Sequence, residues 1–201
     1  MTAAMVEHYE VSSEGPWDYL LQTWRELDIP QGWRAEIDEG QIVLVPPPNR
    51  HHNVIAHQIQ KFLYSGLRTD LGIFQTLGIH IARLDRLYVP DLVVMPESFV
   101  TDDDAAATDP VDAADALLVV EITSRGNARD DRTMKLWGYA HAPVPAYLLI
   151  DRFDQHGPTS TLFTEPQDGA YKRMERVPFG ERLELPEPFA GELDTARFPT
   201  D

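Results

Sequence analysis

The sequence contains no cysteine. That absence removes disulfides, thiolate nucleophiles and every zinc site that depends on sulfur. A metal would have to be held by oxygen or imidazole, a donor set that favours hard cations such as magnesium or manganese. Long apolar runs are missing as well. Nothing approaches the roughly eighteen residues that cross a bilayer, so no membrane partner is expected. The opening MTAAMVEHYEVSSEG has neither a basic start nor an apolar stretch of the kind that directs export, and a cytoplasmic location is the expectation. Also absent are a Walker loop, a G-x-G-x-x-G turn, a G-x-S-x-G elbow and an H-E-x-x-H helix, which narrows the field of enzyme classes. Lysine is scarce, with only Lys61, Lys135 and Lys172.

Negative charge, by contrast, is plentiful. The formal net charge is -16, which argues against a nucleic-acid partner, because phosphate binding rests on cationic surface. Its location weakens the objection. Glu97 to Asp115 holds seven carboxylates and no lysine or arginine, and Glu181 to Asp201 holds six against Arg182 and Arg197. The remainder is near -5 and includes Arg125, Arg129, Arg132 and Lys135 close together beside Asp130 and Asp131. With 201 residues and 43% hydrophobic content, one domain over 1–201 is expected.

Periodicity predicts the elements. Trp17, Leu20, Leu21, Trp24 and Leu27 follow Pro16 at helical spacing. Trp33 to Ile37 and Gln41 to Val45 flank a turn and read as a hairpin closed off by Pro46, Pro47 and Pro48. Asn49 is a plausible cap for a helix carrying Val54, Ile55, Ile59, Phe62, Leu63 and Leu67, with Gly72 just past its end. Strand-like runs cover Ile73 to Leu77, Ile79 to Arg83 and Tyr88 to Met95. After the acidic stretch, Ala116 to Thr123 is almost continuously apolar, as a central strand covered on both faces would be. A helix from about Ala128 to His141 and a strand from Ala146 to Asp151 complete a strand-helix-strand unit with parallel strands. Thr159 to Thr164 and Ala170 to Val177 read as an antiparallel hairpin, followed by a tail rich in proline and acid.

Two strands carry an oddity. Val89-Pro90-Asp91-Leu92-Val93-Val94 and Leu118-Val119-Val120-Glu121-Ile122-Thr123 each place a carboxylate inside or at the edge of an apolar run. Burying an ionised carboxylate is costly unless a cation or donor compensates it. Two on neighbouring strands would repel, and a divalent metal between them removes the conflict. Lys135 lies on the helix that follows Glu121, from which an ammonium could reach back. Plainer readings stand beside these. Asp91 could end a turn, Glu121 could be a neutral core acid or half of a structural ion pair, and Lys135 could pair with Asp131 on a solvated helix face. Arg125, Arg129 and Arg132 could be ordinary surface charge or a phosphate cradle. His51, His52 and His57 do not share one helical face as three zinc ligands would, and the Tyr139 ring reads as core.

The Pro90-Asp91 and Glu121-Ile122-Thr123 pair resembles the PD-(D/E)XK nuclease superfamily, except that Thr123 stands where lysine is usual. Some branches supply that lysine from the next helix, where Lys135 lies. The order Glu36, Gly40, the Pro-rich turn, His52, Pro90-Asp91, Val120-Glu121-Ile122-Thr123-Ser124, Asp131, Lys135, Tyr139, Val144-Pro145 and Tyr147 to Asp151 is similar to the Uma family of restriction-endonuclease-like proteins. The likeness covers about 33–151 and is weaker over 152–201, the terminal hairpin and acidic tail. It implies an α/β fold with a restriction-endonuclease-like mixed central sheet flanked by helices, here with an added N-terminal helix and β-hairpins. It implies a metal-dependent phosphodiester hydrolase: Asp91 and Glu121 hold Mg²⁺ or Mn²⁺ with the Ile122 carbonyl as a further ligand. Lys135 orients water or stabilises phosphate charge, Glu36 is an outer ligand or base, and His52 contacts phosphate or shuttles a proton. DNA is the implied substrate, with RNA as a further possibility, and a homodimer is the implied assembly. The -16 charge and Thr123 also support a noncatalytic module of the same fold that meets a basic protein partner.

Overall fold

Side chains along a strand point alternately to its two faces, and the apolar strands of this chain use both. The computed structural model describes residues 15–100, 109–189 and 191–200. The middle of the acidic stretch, 101–108, lies outside them. In chain order the elements begin with α1 (Pro16–Glu26), β1 (Arg34–Asp38), β2 (Gln41–Val45), α2 (Arg50–Tyr64), β3 (Leu71–Phe74), β4 (Ile79–Ile81), β5 (Arg86–Tyr88) and β6 (Leu92–Pro96). They continue with β7 (Val111–Asp112), β8 (Leu118–Ile122), α3 (Ala128–Asp130), a π-helical stretch (Asp131–Lys135) and α4 (Leu136–His141). The last are β9 (Ala146–Asp151), β10 (Thr159–Gln167), β11 (Ala170–Pro178), β12 (Arg182–Leu185) and β13 (Gly191–Asp194).

A mixed six-stranded sheet in the order β11-β10-β9-β8-β6-β3 forms the centre. β8 and β9 run parallel, in register from Leu118 opposite Ala146 to Ile122 opposite Ile150, as the intervening helix requires. One face of this sheet offers Leu92, Val94, Leu118, Val120, Leu148 and Ile150 to Ile55, Ile59 and Leu63 of α2. The other offers Val93, Met95, Val119, Tyr147 and Leu149 to Tyr139 of α4 and to Ile79, Ile81 and Tyr88. These last three belong to a second sheet, ordered β2-β1-β5-β4-β7. Each aliphatic side chain enclosed this way contributes about 1.5–3 kcal/mol. α1 covers the outside of the second sheet, where Trp17, Leu20, Leu21 and Trp24 pack on Ile37, Leu87 and Val89. The Trp24 indole N–H donates to the Ala35 carbonyl at 2.7 Å and fixes that contact.

Three expectations need correction. The apolar run from Tyr88 to Met95 is not one strand: it breaks at Val89-Pro90-Asp91, with β5 in the second sheet and β6 in the central one. Proline cannot donate to a ladder, so pairing stops there and the chain changes sheets. The helix after Asn49, whose side chain caps it by accepting from His52 N at 3.0 Å, ends at Tyr64, and Gly72 falls within β3 instead. The tail is not merely acidic. β12 pairs with β13, and Leu183, Leu185, Phe189, Leu193 and Phe198 join the core against α2.

α4 approaches the second sheet at Gly138, where a Cβ would lie 3.0 Å from Ile81 Cδ1 and 3.2 Å from a Tyr88 ring carbon. Both neighbours are almost wholly buried and have little room to yield. Gly138→Val should therefore lower unfolding free energy by about 1–3 kcal/mol in urea titration. Gly126→Ala, which meets nothing within 4 Å, should stay within about 0.5 kcal/mol of the parent.

Candidate active site

On β8, Val119 faces the second sheet, and Glu121, two residues on, faces the same way. The helix that returns from β8 to β9 crosses that face. Its π-helical winding ends in Lys135, whose ammonium donates to Glu121 Oε1 at 3.0 Å and to Glu36 Oε1 at 2.9 Å. One turn later the Tyr139 hydroxyl donates to Glu121 Oε1 at 2.7 Å. Glu36 comes from the inward face of β1 and also accepts from the Val89 backbone N–H at 3.1 Å. Asp91 sits at the break between β5 and β6. Its Oδ2 accepts from Ile122 N at 2.8 Å, and its Oδ1 receives Arg34 Nη1 and His52 Nε2, each at 3.0 Å. A break in one strand, a hairpin and a helix thus bring Asp91, Glu36 and Lys135 to the end of β8.

The cluster is almost dry. Glu121 and Asp131 are 0% exposed, Lys135 4%, Glu36 5% and Asp91 7%, so Asp91 is the member nearest solvent. Burial pushes the Glu121 carboxyl up, and Lys135 only partly offsets this against Asp91 and Glu36, leaving it at about 7. Asp131 is raised well above the usual carboxylate range for the same reason, and neither of its oxygens has a hydrogen-bond partner. Burial also acts on Asp91, but His52, Arg34 and the Ile122 N–H outweigh it and hold that carboxyl low. Burial would strip the proton from Lys135; Glu121, Glu36 and Asp131 overcome it and keep the ammonium charged. Four carboxyl groups, two of them raised, therefore face two permanent cations, Arg34 and Lys135, and among the described residues Glu121 Oε2 is buried with no hydrogen-bond partner.

That orphan oxygen and the acid excess fit a divalent cation. Glu121, Asp91 and the Ile122 carbonyl would hold it. Among the described residues no three His, Asp or Glu side chains form a ready metal cage. Magnesium does not need one, since it keeps several waters and is commonly bound through one or two carboxylates. Arg34 and His52 on Asp91 Oδ1 would have to share that carboxylate with it.

The residues singled out in the sequence are thus partly gathered and partly not. Lys135, Glu121 and Glu36 form one bonded group and Asp91 with His52 another, and the Ile122 N–H that Asp91 accepts links the two. Lys135 does not lie on a solvated face, and its Nζ is 3.8 Å from an equally buried Asp131. Arg132 is committed to Asp151 through two bonds of 2.6 and 2.7 Å. Arg125 lies over the Phe153 ring at 4.9 Å, and Arg129 is exposed. Thr123, in the customary lysine position, donates to Asp151 at 3.4 Å and accepts from Arg152 N at 3.0 Å, joining the ends of β8 and β9. Sequence reasoning missed Arg34. Its signal was the pair Arg34-x-Glu36, two charges on one face of a strand whose centre is buried. It also assigned Tyr139 to the core without its bond to Glu121.

A search of curated proteins returns no match. Among solved structures, a crystal structure from Anabaena variabilis described as a "putative nuclease belonging to DUF820" superposes with a TM-score of 0.68 at 19% identity, covering 89% of this chain and 96% of that one. At that identity the likeness speaks for the fold. The family model Uma2, described as "Putative restriction endonuclease", matches residues 19–197, a span that takes in every residue of the network and the tail hairpin as well. The chain belongs to the Uma2 family of restriction-endonuclease-like proteins.

Proposed function

We propose that the protein is a metal-dependent phosphodiesterase that cleaves DNA, with Asp91, Glu121 and Lys135 at its centre. The observation that carries this reading is the convergence of Lys135 Nζ on Glu121 and Glu36, beside an Asp91 bonded to the backbone of the next residue after Glu121. When bound, the cation supplies Lewis-acid polarisation of the phosphate and a more acidic water. The chain's own residues do the rest. Lys135, kept charged by three carboxylates, faces the negative charge that grows on the phosphate. As the oxygen of the attacking water bonds to phosphorus and the bond from phosphorus to the leaving sugar oxygen breaks, Glu36 Oε1, already a hydrogen-bond acceptor, takes the proton of that water, and a second water protonates the leaving oxygen. Tyr139 holds the Glu121 carboxylate in orientation, and His52 and Arg34 hold that of Asp91. The low exposure of the cluster excludes bulk water, which strengthens each of these interactions. One site per protomer against two strands per duplex favours a homodimer, RNA is the alternative substrate, and a cytoplasmic location suits either.

A second reading has its own support. Asp91 has three donors and Glu36 two, so much of the cluster is compensated without a metal. A noncatalytic module of this fold, meeting a basic partner through its acidic surface, would look the same. Calorimetric titration with Mg²⁺ or Mn²⁺ separates the two: the hydrolase binds metal through Asp91 and Glu121, the module does not.

Asp91→Ala and Glu121→Gln should each lower Mg²⁺-dependent nicking of supercoiled plasmid by at least about 100-fold; undiminished nicking in both would remove the assignment. A second prediction concerns pH in the presence of chelator. Because the Glu121 carboxyl sits at about 7 in the folded chain against an ordinary 4.5, its contribution to stability is full below 4.5 and is lost as pH rises through 7. The Tm of the parent relative to Glu121→Gln should therefore fall between those pH values. A flat difference across that interval would show that Glu121 does not titrate there.

A further inference from the structure

The cavity that opens onto Asp91 has no part in the chemistry described so far. Its volume is about 370 Å³, within the roughly 300–1,000 Å³ of small-molecule sites. Asp91, His52 and Arg34 form one end of it, and Trp24 and Trp33 line it towards α1. The Trp24 ring is fixed by its bond to the Ala35 carbonyl. Trp33 is 37% exposed and lines the same cavity as Asp91, His52 and Arg34. A second cavity, about 120 Å³, shares Arg34, Pro48 and His52 with the first and is otherwise lined mainly by the Pro-rich turn and the polar Asn49, Ser124, Asn127 and Arg152.

The two spaces differ in their rings: two indoles line the first and none lines the second. A phosphodiester whose phosphorus faces Asp91 carries a flat base on one side and the continuing sugar-phosphate chain on the other. The smaller cavity, without an indole, suits the continuing backbone, with Ser124, Asn127 and Asn49 in its wall. The aromatic one suits a base, since every base has a face that stacks on an indole. A base inside a duplex is stacked and paired and enters only after it is flipped out of the stack, at a cost of a few kcal/mol.

We propose that the Trp24 and Trp33 cavity seats one unstacked nucleobase of the strand that passes the Asp91 end of the site, so that the substrate is single-stranded or locally unpaired nucleic acid. This rests on the nucleic-acid reading of the site above. Trp33 is a specificity-determining residue on this view, and Arg34 and His52 separate the base from the backbone channel.

The test is binding by the full-length protein in chelator and low salt, so that no cleavage intervenes. The probes are an oligodeoxythymidylate, a chain of the same length with abasic sugars, and a blunt duplex. The thymidylate should bind about 5- to 150-fold more tightly than the abasic chain, the range expected for stacking one base on an aromatic side chain. It should also bind more tightly than the duplex. Trp33→Ala should erase the gap between thymidylate and abasic chain, and Trp33→Phe should retain most of it. Equal binding of the first two probes by the parent protein, including binding of neither, overturns the proposal. So does a gap that survives in a folded Trp33→Ala protein. A base preference without Mg²⁺-dependent cleavage would leave this inference standing and remove the hydrolase reading; cleavage without a base preference would do the reverse.

Discussion

An ammonium group held between two buried carboxylates is the constraint on which the rest of this structure depends. Lys135 has almost no contact with water, and breaking a buried ion pair by removing one partner typically costs about 3–5 kcal/mol. Its partners must therefore arrive together, and each comes from a different part of the chain. Glu121 is delivered by the central sheet, Glu36 by the hairpin of the second sheet, and Lys135 by the helix laid between them. The packing of the two sheets is thus fixed by charge as well as by the apolar layer of Val119, Tyr139, Tyr147 and Leu149. Asp91 extends the same logic outward, since its bonds to Arg34, His52 and the Ile122 N–H tie β1, α2 and β8 to one point.

Much of this was legible in the sequence, for a local reason. A carboxylate inside an apolar strand is conspicuous wherever the strand lies, so Glu121 stood out before its partners were known. Lys135 stood out through scarcity and through its place on the following helix. What was hidden depended on long-range geometry. Arg34 meets Asp91 across 57 positions of chain, and nothing in the local pattern names that partner. The break at Pro90 was hidden because apolar residues continue on both sides of it. They do so because β5 and β6 are each buried, in different sheets. The tail escaped notice because its strands β12 and β13 are short, with apolar residues only at alternate positions among acids.

The acidity of the chain also reads differently once its location is known. Glu36, Asp91, Glu121 and Asp131 are turned inward and are answered by Arg34 and Lys135 or carried as neutral acids. Of these four, Asp91 lines the cavity at the site. Beside the Pro-rich turn the polar groups lining the smaller cavity are two amides, one hydroxyl, His52 and two arginines. Net charge is a property of the whole sequence, whereas binding is decided by the field where the partner sits.

Delivery of the lysine from a helix rather than from β8 has a consequence for how such a chain can vary. Position 123 carries no ammonium, and Thr123 joins the ends of two parallel strands. The burden moves to the spacing between Glu121 and Lys135. A single inserted or deleted residue within that helix turns everything beyond it by about 100° and would carry the ammonium away from both carboxylates. The π-helical winding of Asp131–Lys135 holds one more residue per hydrogen-bonded turn than an α-helix would. The length of the helix can therefore change without moving Lys135 off its partners only where a local change of winding restores the phase.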